Sequence, residues 1–228
     1  MRVNDRHCSF YYETDTDMGE ITIDREKTAL LIIDMQYSQI ARPERGNTPA
    51  EQAETARWEP FYQKIDRVVL PNNQRILRAF RERGMQVCFA QVLALRKDGK
   101  ERSLDQKGTG FNASFTVKGD PRGEIVAELA PIQDEIVVTK STESALTGTN
   151  LRLLLHNMGI DTVVVTGVLT DQCVSSTVRT LADESFKVWL IEDAAMAATE
   201  AIHDHELEIL NNIYCHVINT EELLAALG

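Results

Sequence analysis

The chain has 228 residues, 43% of them hydrophobic and 26% charged, which suits one α/β domain with a substantial core. Its net charge of −11 repels nucleic-acid phosphates and anionic lipid, and no apolar run approaches the roughly eighteen residues of a membrane span. Neither nucleic acid nor a membrane is therefore expected as a partner.

Residues 1–26 carry charges and aromatics, among them Phe10, Tyr11 and Tyr12, but no apolar stretch followed by a small-residue cleavage site, so they do not read as a secretory signal. They are expected to be an N-terminal extension, suited to wrapping a neighbouring subunit, on a domain spanning 27–228 of a cytoplasmic protein. Cys8, Cys88, Cys173 and Cys215 are widely separated with no CxxC pair, which implies neither a zinc ribbon, a dithiol motif nor a disulfide framework.

From Lys27 onward, short β-branched runs alternate with longer amphipathic stretches, the pattern of a parallel sheet covered by helices on both faces. Strands are predicted at Thr28 to Ile33, Met85 to Val92, Glu135 to Thr139, Thr162 to Thr166, Lys187 to Ile191 and Cys215 to Ile218. Helices are predicted over Ile65 to Arg83, Arg122 to Leu129, Asn150 to Asn157, Val174 to Glu184, Thr199 to Asn212 and Glu221 to Leu227. Gly84 and Gly159 follow two of them, where a left-handed cap is wanted. The fold class is α/β, a three-layer α/β/α sandwich. Two stretches, Gln36 to Pro60 and Arg96 to Gly119, break the alternation just after strand ends and are expected to form lids or subunit contacts.

Ligands of such sheets bind beyond the carboxyl ends of the strands, and three chemically active residues sit there. Asp34 follows Leu30-Leu31-Ile32-Ile33, Lys140 follows Ile136-Val137-Val138-Thr139, and Cys173 lies in a polar turn that opens a helix. A helix N-terminus favours a thiolate, so a depressed Cys173 pKa is expected. Taken singly, these residues also fit a helix cap, a solvated lysine and a buried structural cysteine. Together they supply a nucleophile, a base and a cation at one edge of one sheet. Backbone N–H groups within Leu169 to Cys173 offer an anion hole.

Three segments carry a resemblance: Ala29-Leu30-Leu31-Ile32-Ile33-Asp34-Met35-Gln36, Lys140 with Ser144-Ala145-Leu146-Thr147-Gly148-Thr149-Asn150-Leu151, and Gly167-Val168-Leu169-Thr170-Asp171-Gln172-Cys173-Val174. In order and spacing the chain resembles the isochorismatase-like cysteine hydrolases. The resemblance implies a six-stranded parallel sheet of order 3-2-1-4-5-6 and an Asp34, Lys140, Cys173 catalytic triad. It also implies a cis peptide at Val168-Leu169, an oxyanion hole from the Leu169 and Cys173 N–H groups, and a homo-oligomer, dimer or tetramer.

Nicotinamidase-like members hold a metal through an Asp and two His downstream of the first motif. None of His7, His156, His203, His205 and His216 lies between Asp34 and Lys140, so no metal and no cofactor is implied. His203 and His205 are expected on the surface. Members that hydrolyse the vinyl ether of isochorismate can dispense with the cysteine. Retention of Cys173 favours C–N cleavage of a small amide, ureido or carbamoyl substrate. Isochorismate pyruvate-hydrolase and a non-catalytic ligand-binding module stand as alternatives.

Gln36, Tyr37 and Thr170 are expected to bind substrate, though Gln36 fits equally a bond that merely positions Asp34. Arg96, Lys97, Arg102 and Lys107 either draw a carboxylate to the pocket or are solvated loop charges. Phe111 and Phe115, like Trp58 and Phe61, either wall the pocket or pack beneath their own segments.

Overall fold

In the computed structural model, which describes residues 6–14, 21–43, 47–108 and 115–228, every residue of the first strand, β1 (Thr28–Ile33), is buried. Both faces of a parallel strand are covered, which is why its sequence is continuously apolar. The other strands are β2 (Gln86–Val92), β3 (Ile136–Lys140), β4 (Thr162–Val168), β5 (Lys187–Met196) and β6 (His216–Ile218). They pair in parallel in the order β3-β2-β1-β4-β5-β6, the 3-2-1-4-5-6 arrangement that the family resemblance implies.

Period-two alternation divides the core. Leu30 and Ile32 face Phe80, Phe89 and Trp189 on one side, while Leu31 and Ile33 face Val163, Val165 and Leu181 on the other. Between β1 and β2 lie α1 (Tyr37–Ile40), α2 (Pro49–Lys64), a π-helical turn over Ile65–Val69, and α3 (Leu70–Glu82). The remaining helices are α4 (Leu151–Asn157), α5 (Ser175–Asp183), α6 (Glu200–Leu210) and α7 (Thr220–Leu227). Ile76 and Phe80 of α3 with Leu223 of α7 cover the first side; Leu151 of α4, Leu181 of α5 and Leu207 of α6 cover the second.

Strands β4 and β5 run on to Val168 and Met196, past their predicted ends, and three other differences shape the site. The stretch from Gln36 to Pro60 is not irregular, since α2 occupies its second half. Thr48 Oγ1 accepts from Glu51 N–H while the Glu51 carboxylate accepts from Thr48 N–H, and Pro49 stands in the first turn, a combination that starts helices. Only Phe61 of α2 is buried, so no apolar stripe marks it. The helical run widens at Ile65–Val69, where Leu70 N–H bonds Ile65 O five residues back, just before Pro71, which has no N–H to donate.

The helix predicted over Arg122 to Leu129 is instead two short 3-10 turns, Pro121–Gly123 and Ala127–Leu129. Ile125 between them bridges Gln36, and Val126 N–H bonds Met35 O, so the chain is drawn out extended against the end of β1. Strand β3 runs one residue further than predicted and includes Lys140, paired with Val92.

At the N-terminus, Arg6 and His7 pair with Glu192 of β5 at 2.5 and 2.8 Å. Among the described residues no helix is long and apolar enough to cross a membrane.

Candidate active site

The site begins where β1, β3 and β4 end. Asp34 turns out of β1 with φ 53°, and its N–H is held by Ala90 O at 2.9 Å. Opposite Ile33 on β4 stands Gly167, at φ 112°. A Cβ there would lie 2.0 Å from the Ile33 carbonyl oxygen, so this approach of the two strand ends admits only glycine. The Val168–Leu169 peptide is cis. A π-helical turn over Thr170–Val174 then carries Cys173 into α5.

These paths bring three side chains together. Lys140 Nζ pairs with Asp34 Oδ2 at 2.8 Å and donates to Cys173 Sγ at 3.0 Å and to Thr142 O at 3.2 Å. Asp34, Lys140 and Cys173 are only 2%, 1% and 7% exposed. Charges this deep persist only when paired.

Burial works against the Lys140 charge, but Asp34 and Cys173 outweigh it and hold the ammonium above the ordinary lysine range. For Cys173, burial and then the Asp34 carboxylate push the thiol well above its ordinary value; Lys140 opposes them and Glu143 adds to them. The expected depressed thiol is thus overturned. A helix terminus contributes about half a unit charge, less than the full carboxylate beside the sulfur. Burial and the Asp34 carboxylate therefore favour the neutral thiol of Cys173.

Cys173 opens on a cavity of about 580 Å³. Its walls include Trp58 and Tyr62 of α2, Leu93 beyond β2, Arg102, and Glu143 beyond β3. Cys173 and the polar helix α2, which the alternation of strands and helices did not reveal, thus line the same cavity.

A model of the isochorismatase domain matches residues 28–222. The chain belongs to the isochorismatase family. It is 30% identical to the uncharacterized isochorismatase family protein YrdC of Bacillus subtilis, over 87% of this chain and 95% of that one. It is 27% identical to N-carbamoylsarcosine amidase of an Arthrobacter species, over 78% and 71% respectively. A solved putative hydrolase of the isochorismatase family from Chromobacterium violaceum superposes with a TM-score of 0.70 at 26% identity, covering 92% of this chain and 98% of that one.

Within this isochorismatase-family fold, the residues expected to bind substrate are placed elsewhere. Gln36 is wholly buried; its amide donates to Gly123 O at 2.7 Å and Val92 O at 3.3 Å, and its oxygen accepts from Val92 N–H at 2.8 Å. It fastens three segments beneath the site. Tyr37 Oη accepts from Ala127 N–H. Thr170 Oγ1 is buried and bonded to His203 Nδ1 at 2.8 Å. None of the three lines the cavity, because each is committed to a protein partner.

His203 is itself a correction, since it is buried and also bonds Glu192 O; His205, two positions on, is exposed. Of the loop cations, Arg102 reaches the cavity wall with its guanidinium over the Phe115 ring at 4.6 Å, whereas Arg96 pairs with Asp98. Phe61 packs in the core while Trp58 faces the cavity, and Phe111 lies outside the described residues.

Sequence reasoning passed over Glu143. Cys173 Sγ donates to its Oε2 at 3.0 Å, and burial pushes its carboxyl above the usual range, with the bond from Cys173 opposing. Its position three residues beyond a strand-end lysine was the available signal. Among the described residues, no group of three or more His, Cys, Asp and Glu side chains is arranged to hold a metal.

Proposed function

We propose that the chain is a cysteine hydrolase cleaving the C–N bond of a small amide, ureido or carbamoyl substrate through a thioester on Cys173. The observation that carries this reading is the Lys140 ammonium, bonded at once to the Asp34 carboxylate and to a thiol that faces the cavity. Similarity to N-carbamoylsarcosine amidase supports the C–N assignment.

In this reading the substrate oxygen enters the N–H groups of Leu169 and Cys173, which stabilise it as it becomes negative. The thiol proton passes to Asp34 while the sulfur–carbon bond forms. Asp34 returns that proton to the departing nitrogen as the C–N bond breaks, leaving the thioester. Water then attacks, giving one proton to Asp34, and the thiol re-forms with release of the acid. Lys140 stays charged throughout and stabilises whichever neighbour is the anion.

Intact-protein mass spectrometry after brief incubation with small amides, ureido acids and carbamoyl compounds tests this. An acyl adduct is expected on wild type and not on Cys173→Ala, together with ammonia or amine release. Pyruvate release from isochorismate, with no adduct and no ammonia from any amide, would overturn it.

A further inference from the structure

The third substituent of an attacked carbonyl has a reader of its own in this site. A carbonyl carbon approached by Cys173 Sγ bears an oxygen, which enters the anion hole, a departing nitrogen, which takes its proton from Asp34, and one group more. The remaining polar contact on the sulfur is Glu143 Oε2 at 3.0 Å, on the cavity wall. Attack brings the carbon to roughly 3–3.5 Å from sulfur, so an atom bonded to that carbon on the Glu143 side can come within hydrogen-bond reach of the same carboxyl oxygen.

Glu143 is held for this role. Gln106 Nε2 donates to its other oxygen. Its loop is pinned on both sides, by Thr142 Oγ1 to Thr147 O at 3.0 Å and by Ala145 N–H to Thr177 Oγ1 at 3.0 Å. In the resting site Oε2 is satisfied by the thiol proton. Once that proton moves to Asp34, the oxygen loses its donor inside a half-buried wall, and an unfilled acceptor there is costly. An N–H on the substrate fills it; a methylene does not, and a carboxylate opposes it.

We propose that Glu143 is a specificity-determining residue that accepts a hydrogen bond from an N–H on the non-leaving side of the scissile carbonyl. The site thereby selects ureido-type substrates, with nitrogen on both sides of the carbonyl, over those with carbon or a carboxylate in that place. Glu51 and Glu54 also line the cavity, against Arg102 as its one Lys or Arg among the described residues, so the wall as a whole suits donor-rich neutral groups. This selection rests on the C–N reading given above.

The test is ammonia release from N-butylurea and from hexanamide, which differ only by an inner N–H in place of a methylene. Ureas are intrinsically the less electrophilic, so a preference for the urea has to come from the protein. Wild type is expected to favour N-butylurea in kcat/KM. Glu143→Ala is expected to lower the urea rate about ten- to a hundredfold more than the amide rate, the size of one lost buried hydrogen bond. Glu143→Gln keeps an acceptor oxygen and is expected to recover most of the ratio.

A wild-type enzyme that favours hexanamide, or equal losses on both compounds in Glu143→Ala, would overturn the selection while leaving C–N cleavage standing. Ammonia from neither compound would overturn both. The ratio in wild type and in Glu143→Gln decides the matter even if the alanine variant does not fold.

Discussion

Replacing Asp34 by Asn is expected to make Cys173 a better nucleophile and the protein a worse enzyme. Lys140 Nζ holds Asp34 Oδ2 at 2.8 Å and Cys173 Sγ at 3.0 Å, so carboxylate and sulfur are no more than about 6 Å apart. At an effective dielectric of about 20, two unit charges that close repel by about 3 kcal/mol. The carboxylate therefore suppresses the thiolate on the order of a hundredfold, since about 1.4 kcal/mol is a factor of ten. Asparagine keeps the shape and removes the charge, and Lys140 then pairs with the thiolate alone. Alkylation of Cys173 by iodoacetamide at pH 7, followed by intact mass, is expected to rise on the order of a hundredfold. Turnover is expected to fall by about 10²–10⁴, the usual worth of a positioned proton donor and acceptor. Alkylation no faster than wild type would refute the reasoning, because the Asp34 charge would then add nothing to what burial already does to the thiol.

Two further outcomes concern stability. Gly167→Ala places a Cβ 2.0 Å from the Ile33 carbonyl oxygen and is expected to cost about 3 kcal/mol or more, read as a lower urea midpoint at unchanged slope; an unchanged midpoint would mean that β1 and β4 can separate freely. Alkaline pH is expected to weaken the fold. Burial pushes Cys88 up to about 12 and raises Cys173 and Cys215 as well, so above about pH 9 the unfolded chain sheds thiol protons that the folded chain keeps. With fewer protons bound in the unfolded state, unfolding free energy falls as pH rises, by up to about 1.4 kcal/mol per unit for each such thiol. Urea titrations from pH 8 to 11 are expected to show this decline and a shallower one in Cys88→Ala; equal slopes would contradict it.

What could be read from the sequence was what burial makes repetitive. Leu30-Leu31-Ile32-Ile33 and Val163-Val164-Val165 are continuous because both faces of the sheet are covered, and the residues that follow such runs lie at its edge. Asp34, Lys140 and Cys173 were accessible for that reason. Helix α2 was not, because its polar surface carries no period; only Thr48, Pro49 and Glu51 announced it. The fates of Gln36 and Thr170 were hidden differently. A polar side chain beside a catalytic motif reads the same whether it meets a ligand or a backbone carbonyl, and Val92 and Gly123, which claim Gln36, arrive from 56 and 87 residues away. His203 likewise takes its partner Thr170 from 33 residues away.

The buried charges also explain why the thiol should rest neutral. A site with Lys140 fully buried carries one positive charge that needs one negative partner. Asp34 fills that need at rest, and a pre-formed thiolate would add a second anion in a place that desolvates both. Passing the proton from Cys173 to Asp34 exchanges one anion for another beside the same ammonium, so the net charge of the three groups stays at zero as the nucleophile appears. The raised thiol and the stabilised lysine are therefore two sides of one balance. A shortened alkyl chain at position 140 would break both, which is why the proposed mechanism needs the lysine although it neither gives nor takes a proton there.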